Sequence, residues 1–161
     1  MPKHRITIVN TLSRRVTYKA IRTGLEVLLA TANLPPVSVS VLITDNDEMQ
    51  EMNNRFRGID EPTDVLSFPS PPEGLPYPGP KPLGDIAISI DFAEAQARIR
   101  KVRIQDELAM LAIHGGLHLL GMDDETEPER SKMVERMNEI AALAQIPTDA
   151  DWSSLPHGGS D

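Results

Sequence analysis

The sequence predicts an α+β fold, a single domain with about four strands in a mixed sheet packed against helices. At 161 residues with 40% hydrophobic content, the chain is long enough for one core and short for two domains. Short stretches with alternating apolar residues are interspersed with longer stretches of helical periodicity. One of the predicted helices is apolar on nearly every side, which requires a buried, central position.

The first half of the chain predicts two strands that alternate with two helices. Residues 4–9 alternate apolar and polar side chains, as a short strand does, and apolar residues recur at helical spacing over residues 16–32. Residues 37–44 alternate β-branched with small polar side chains, which favours a second strand with one face on the core. Asp45 and Glu48 then have the spacing of a capping box, so a second helix is expected there.

The second half predicts two further strands, over residues 64–68 and 83–90, and three helices. Between these strands, residues 69–82 contain seven of the fourteen prolines of the chain, a composition that excludes a central strand. We interpret this segment as a long connection rather than as a lid over a site. The helices are expected over residues 91–100, with Asp91 as N-cap, over residues 105–120 and over residues 128–145.

The predicted domain comprises residues 1–146. After it, residues 147–161 contain turn formers, acidic residues and only scattered apolar side chains. Such a segment buries too little apolar surface to offset the entropy of ordering it. We therefore expect a disordered or loosely packed C-terminal tail.

Composition excludes several classes of function. The chain has no cysteine, so a transition metal would have to be bound by His, Asp or Glu. The net charge of −8 argues against a protein that coats nucleic acid nonspecifically, which leaves Arg55 with Arg57, and residues 98–103, as local basic patches. The sequence shows neither a signal peptide nor an apolar run of about 18 residues. We therefore expect a soluble, cytoplasmic protein that does not enter membranes.

A histidine pair on the apolar helix is the strongest functional signal. His114 and His118 stand four residues apart, so their imidazoles share one face of the helix and can meet one metal ion. Gly121 can end the helix in a left-handed conformation, after which Asp123 or Asp124 can supply a third ligand. Three protein ligands would leave a position open for water. In the alternative interpretation, the histidines are hydrogen-bonded core residues and the aspartates cap the next helix.

Two glycines and the nearby acids limit the chemistry further. Gly115 and Gly116 each weaken a helix interior by about 1 kcal/mol relative to alanine, which indicates that something approaches the backbone closely there. Zinc peptidases place Glu directly after the first histidine of such a motif, and this chain has Gly115 at that position, so peptidase chemistry is disfavoured. Glu125 and Glu107 are candidate bases, although Glu107 is better interpreted as a surface charge or as a partner that orients His114.

A second constellation lies upstream, where two arginines precede a predicted strand. Arg57 has the chemistry to clamp phosphate oxygens through paired hydrogen bonds, and Arg55 beside it is a second candidate for binding substrate. The alternative for Arg57 is a salt bridge to Asp60 or Asp64. Phe68 has the shape to stack on a nucleobase but is interpreted as a core residue. The side chains expected to line the same cleft are Thr63, Asp64, Ser67 and Phe68.

Three sequence blocks stand out when the chain is considered as a whole: RFRGIDEPTDVLSFP, LGDIAIS and HGGLHLLGMDDE. In this order and at these separations, they closely resemble the YbeY family of ribosomal RNA maturation factors, described as metal-dependent, single-strand-specific endoribonucleases. The resemblance covers roughly residues 37–140. It implies an α+β fold, a zinc ion held by His-x3-His-x5-His, and roles in maturing the 3′ end of small-subunit (16S) rRNA and in ribosome quality control. The implied partners are single-stranded rRNA, the small ribosomal subunit, and ribosomal proteins or assembly GTPases.

The resemblance assigns roles residue by residue. His114 and His118 match the first two metal positions, and Arg57 matches the arginine thought to contact the phosphate. The family usually ends its motif with His, and this chain has Asp124 at that position. An aspartate is an acceptable zinc ligand, but its charge makes the ion a weaker Lewis acid and shifts the preference towards harder ions such as manganese. A neighbouring carboxylate is the alternative third ligand.

The expected mechanism is metal-assisted hydrolysis of a phosphodiester by a zinc-dependent endoribonuclease with one Zn²⁺ per chain. The ion held by His114, His118 and Asp124 lowers the pKa of water, and Arg57 stabilises the charge that develops on the phosphate. His114 and Arg57 are thus the predicted catalytic residues. Two rival functions stay open: a metallohydrolase with another substrate, such as a peptide, and a non-catalytic ribosome-assembly factor with a structural metal. A fourth protein donor would favour the structural site.

Overall fold

The computed structural model describes residues 3–71 and 79–154. Within these residues the chain forms strands and helices in the order expected from the sequence. The strands are β1 Arg5–Asn10, β2 Val37–Thr44, β3 Val65–Pro69 and β4 Lys81–Ser89. The helices are α1 Lys19–Thr31, α2 Asn46–Arg57, α3 Ile90–Arg100, α4 Ile104–Leu119 and α5 Glu127–Leu143. The predicted α+β fold is confirmed.

The strands form one four-stranded sheet in the order β1-β2-β4-β3. Strand β2 runs parallel to both β1 and β4, whereas β3 runs antiparallel to β4. Along β2 the buried side chains of Val39, Val41 and Ile43 alternate with less buried ones, because successive residues of a strand point to opposite faces. The mixed four-stranded sheet predicted from the sequence is confirmed.

Helix α4 lies at the centre of the fold. It packs against α1, α3, α5 and the sheet, and it buries Leu108, Leu111 and Ile113 completely. Burial of each such side chain contributes about 1.5–3 kcal/mol, so the sides of this helix hold the other elements together. The buried central helix expected to bear the histidines is confirmed. Even so, among residues 3–71 and 79–154, the helices lack the combination of length and apolar character needed to cross a membrane.

The helix ends follow local signals in the sequence. Asp45 caps α2, as predicted, because its carboxylate accepts a hydrogen bond from the backbone N–H of Glu48 at 3.0 Å. At α3 the prediction is wrong: Ser89 rather than Asp91 is the N-cap, and its hydroxyl accepts a hydrogen bond from the first turn. Strand β4 runs directly into this helix, so the last strand residue is the cap. Asp91 instead accepts a hydrogen bond from the backbone N–H of Asn46 at 2.9 Å.

The proline-rich connection lies largely outside the described residues. Residues 72–78 are not described, so the choice between a connection and a lid for residues 69–82 stays a prediction. Strand β4 begins at Lys81, earlier than expected. Its pairing with β2 shifts register beside Pro82, a residue that has no N–H to donate to the ladder.

The structure differs from the sequence prediction over residues 147–154. These residues fold back on the domain, where the Asn138 side chain exchanges two hydrogen bonds with the backbone of Asp149, at 2.9 and 3.0 Å. Trp152 is only 3% exposed. The expectation of a disordered tail is wrong here, because one large aromatic side chain buries enough apolar surface to order the segment. The remaining part of the predicted tail, residues 155–161, lies outside the described residues.

Candidate metal centre

Two histidines of α4 and one aspartate beyond it bring three donor atoms together. The Nε2 atoms of His114 and His118 are 3.1 Å apart. Asp124 Oδ2 lies 3.4 Å from the first of these atoms and 3.5 Å from the second. Among the described residues, these three side chains form a group that could hold a metal ion. The structure thus brings together the residues expected from the sequence to bind metal, and it selects Asp124 among the neighbouring acids.

The turn after α4 determines where Asp124 lies. Gly121 adopts a left-handed conformation with φ of 98°, which an L side chain rarely tolerates. The N–H of Met122 donates to the carbonyl of Leu117 at 3.0 Å, so the chain reverses tightly at the helix end. The Arg130 guanidinium then donates to the carbonyl of Asp124 at 3.2 Å and to the carbonyl that follows it at 2.8 Å. These bonds hold the aspartate backbone against the start of α5.

The two glycines of α4 allow close packing around the histidines. A Cβ atom at Gly115 would lie 2.8 Å from Ile86 Cγ2, and one at Gly116 would lie 2.9 Å from Leu28 Cδ1. The Ser67 hydroxyl also donates to the carbonyl of Gly115 at 3.0 Å. What approaches the helix backbone is therefore the sheet on one side and α1 on the other. The close approach predicted from the sequence is confirmed, and it arises from packing.

The surroundings place His114 and Asp124 in the protonation states that metal binding requires. Burial lowers the pKa of His114, because desolvation disfavours the charged imidazolium. Hydrogen bonds from His114 and His118 hold the pKa of Asp124 well below its usual range. A neutral imidazole and an ionised carboxylate result at neutral pH. These are the forms in which both groups bind metal.

The spacing of the donors fits one divalent ion. With bonds of 2.0–2.2 Å in tetrahedral geometry, neighbouring ligand atoms are about 3.3–3.6 Å apart. The separations of 3.4 and 3.5 Å from the aspartate oxygen to the two histidine nitrogens fall in this range, and the separation of 3.1 Å between the two nitrogens is slightly shorter. Two imidazole nitrogens with one carboxylate oxygen form a donor set that zinc accepts. The residues therefore fit the metal that the sequence resemblance implies.

The donors line a cavity of about 670 Å³ together with several predicted site residues. Arg57, at the C-terminal end of α2, lines it, as does Ser67 of β3. Arg55 does not line it: its exposed side chain instead forms an ion pair with Glu51 on the surface of α2. Of the two arginines that the sequence placed together, Arg57 therefore lines the same cavity as the three donors, and Arg55 lies outside it.

Three other residues expected to line the cleft lie elsewhere. Thr63 and Asp64 are buried, and the Asp64 carboxylate accepts a hydrogen bond from the backbone N–H of Val65 at 2.8 Å. Phe68 is half-buried and packs against Phe56, with the ring centroids 5.1 Å apart. These side chains support β3 and its neighbours and are not among those that line the cavity.

Sequence reasoning missed the residues that enclose the cavity from the C-terminal side. Trp152 and Ser154 line it, although both belong to the segment predicted to be disordered. The tryptophan, the only one in the chain, was the signal available in an otherwise polar stretch. Glu107 is not a surface charge: it is 1% exposed and accepts hydrogen bonds from Arg100 and from the Trp152 indole.

Within a single α+β domain, two helix histidines and an aspartate thus form a possible metal site at an open cavity. The family model described as Endoribonuclease YbeY matches residues 7–145. The chain therefore belongs to the endoribonuclease YbeY family.

Named relatives extend over most of the chain. A protein of Sulfurihydrogenibium sp. (strain YO3AOP1) named Endoribonuclease YbeY is 40% identical over 134 residues, which cover 82% of this chain and 86% of the relative. The protein of the same name from Aquifex aeolicus (strain VF5) is 42% identical over 130 residues, covering 81% and 84%. The solution structure of TM1509 from Thermotoga maritima is similar in fold, with a TM-score of 0.58, 28% identity, and coverage of 87% of this chain and 91% of that one.

Proposed function

We propose that this chain is a metal-dependent endoribonuclease that cleaves single-stranded RNA. The observation that carries the proposal is the cavity in which His114, His118 and Asp124 present three donor atoms and which Arg57 also lines. These three residues hold one divalent cation, with zinc as the first candidate. A cation bound there supplies Lewis acidity towards water and a phosphodiester oxygen. The family membership of the chain supports the same reaction.

The protein side chains have distinct tasks in this reaction. Arg57 binds the scissile phosphate and stabilises the negative charge that increases on its oxygens. His114 stays neutral because burial lowers its pKa, so its imidazole is in the form that binds a metal ion. Ser67 lines the same cavity, but its hydroxyl proton is used by the carbonyl of Gly115. Its oxygen can therefore contact substrate only as an acceptor.

The natural substrate in this proposal is the 3′ end of small-subunit (16S) rRNA, with a further role in ribosome quality control. The family name of the relatives supports RNA as the class of substrate. The net charge of −8 weakens binding to free RNA. The small ribosomal subunit, with ribosomal proteins or assembly GTPases, therefore presents the single-stranded RNA to the cavity. This work is done in the cytoplasm, where the subunits are assembled.

The test combines metal content with RNA cleavage. Purified wild type, His118→Ala and Asp124→Ala are analysed by mass spectrometry for bound metal, and each is assayed on matched single-stranded and double-stranded RNA. We expect near-stoichiometric metal and cleavage of the single-stranded substrate in wild type, and loss of both in the two variants. A wild-type protein that holds no metal and cuts neither RNA would refute the proposal and favour an assembly factor without catalysis.

Neighbouring arginines provide an internal control for the phosphate contact. Arg57→Ala should keep its metal and lose cleavage by about 10²–10³-fold, the usual effect of removing one group that stabilises transition-state charge. Arg55→Ala removes the same charge from the same helix, but its side chain is ion-paired with Glu51 away from the cavity. It should therefore cleave RNA nearly as wild type does. An equal loss of RNA cleavage in both variants would indicate that the two arginines only attract RNA through their charge.

A further inference from the structure

The C-terminal residues 147–154, here called the C-terminal strap, are fastened to the domain by a buried ionic network. Arg100 of α3 and Glu107 of α4 form an ion pair at 3.1 Å. The Arg100 guanidinium also donates to the carbonyl of Ser153 at 2.8 Å and lies over the Trp152 ring, with its carbon 4.9 Å from the ring centroid. The Trp152 indole N–H donates to Glu107 at 3.0 Å. The strap therefore has a fixed position.

That position brings the strap to the metal donors. The Trp152 ring packs against the imidazole of His114, with centroids 5.1 Å apart. Two residues later, Ser154 Oγ lies 3.4 Å from His114 Nε2, the atom that faces the other two donors. Ser154 is half-buried and lines the same cavity as Asp124.

We propose that Ser154 supplies a fourth, neutral oxygen donor to the metal centre, and that Trp152 is the positioning residue that holds it there. This inference rests on the metal centre of the proposed function. The distance from Ser154 Oγ to His114 Nε2 equals that from Asp124 Oδ2 to the same nitrogen, 3.4 Å in both cases. Both fall in the range of about 3.3–3.6 Å expected between neighbouring ligands of a tetrahedral ion.

The chemistry of the hydroxyl suits this role. With two neutral imidazoles, one carboxylate and one neutral hydroxyl, a divalent ion keeps a net charge of +1 and remains a Lewis acid. A hydroxyl that keeps its proton is a weaker ligand than imidazole or carboxylate, so a substrate oxygen or water can displace it. The strap thus supplies the fourth ligand of the resting site, but this ligand can be displaced. A structural site, in contrast, has four strong protein ligands.

The experiment compares neighbouring serines in the full chain. Ser154→Ala removes the proposed donor, whereas Ser153→Ala is the matched control, because Ser153 contacts Arg100 through its backbone carbonyl. Affinity for Zn²⁺ is measured by competition with a chelator, and the visible spectrum of the Co²⁺-loaded protein reports changes in the ligands. Trp152→Ala, with Trp152→Phe as a variant that keeps a ring, tests the positioning role. Circular dichroism verifies that each variant is folded.

Ser154→Ala should lower Zn²⁺ affinity on the order of tenfold and change the Co²⁺ spectrum, while Ser153→Ala should do neither. Trp152→Ala should reproduce the effect of Ser154→Ala, and Trp152→Phe should restore part of the affinity. An unchanged or higher affinity in Ser154→Ala would overturn the inference, since the hydroxyl would then only hydrogen-bond to His114. If wild type itself binds neither ion, the metal centre fails, and the proposed function fails with it.

Discussion

Replacement of Glu107 by alanine would disrupt the buried network beside the metal centre. Glu107 is almost fully buried, and its carboxylate accepts hydrogen bonds from Arg100 at 3.1 and 3.2 Å and from the Trp152 indole at 3.0 Å. Burial raises the pKa of this carboxyl, and the Arg100 guanidinium opposes the effect. The alanine variant removes the acceptor of both groups. It leaves the largely buried Arg100 without its nearest anionic partner.

The expected loss is about 3–5 kcal/mol in the free energy of unfolding, the usual result of removing one partner of a buried ion pair. The indole contributes to this loss, since an unpaired buried donor costs about 1–3 kcal/mol. For a chain of this size, each kcal/mol corresponds to about 2–4 °C in Tm. The Tm should therefore fall by about 6–20 °C.

Urea unfolding followed by circular dichroism measures this loss, with Glu51→Ala as the matched control. Glu51 also pairs with an arginine four residues away, but both side chains are mostly exposed, so the control should lose no more than about 1 kcal/mol. A Glu107→Ala variant that loses no more than the control would refute the reasoning. Lost RNA cleavage at unchanged stability would instead assign Glu107 to positioning Trp152 beside His114 rather than to holding the fold together.

Three further outcomes are expected. Gly115→Ala should lower the free energy of unfolding by about 1–3 kcal/mol, because the added Cβ would lie 2.8 Å from Ile86 Cγ2; urea unfolding measures this, and a more stable variant, as helix propensity alone predicts, would contradict it. Asp124→His should raise the affinity for Zn²⁺ relative to Mn²⁺, since imidazole suits zinc and carboxylate suits manganese; chelator competition measures the ratio, and an unchanged ratio would argue against Asp124 as a ligand. Because burial lowers the pKa of His114, the unfolded chain binds a proton below about pH 6.5 that the folded chain does not. The stability of the metal-free protein should therefore fall as the pH decreases below that value, and a rise measured by urea unfolding would contradict the burial effect.

The histidine helix could be predicted from the sequence because its signals are local. His114 and His118 lie one turn apart on a segment that is apolar on nearly every side, and Gly121 follows with a conformation that ends the helix. Periodicity and residue spacing are sufficient to place such features. The same reasoning left the choice between Asp123 and Asp124 open, because the tight turn that orients them depends on hydrogen bonds from α5.

The enclosure of the site could not be predicted, because it depends on contacts between distant parts of the chain. Glu107 is a single acid on an apolar helix, and nothing near it in the sequence identifies Trp152, which lies 45 residues further on, as its partner. The polar composition of residues 147–154 predicted disorder, but burial of the Trp152 ring orders this segment. Arg55 and Arg57 both lie in the last turn of α2. Which of the two lines the cavity likewise depends on where this helix packs.

The close packing of α4 has a consequence for which ions the site can accept. Gly115 and Gly116 leave no clearance between this helix and its neighbours, so the backbone that carries His114 and His118 cannot shift to suit a larger ion. Asp124 lies on the turn after Gly121, with its side chain 20% exposed. The side chains of His118 and Asp124 are 22% and 20% exposed, whereas that of His114 is 4% exposed. Differences in ionic radius are therefore absorbed by the side chains of His118 and Asp124 rather than by His114.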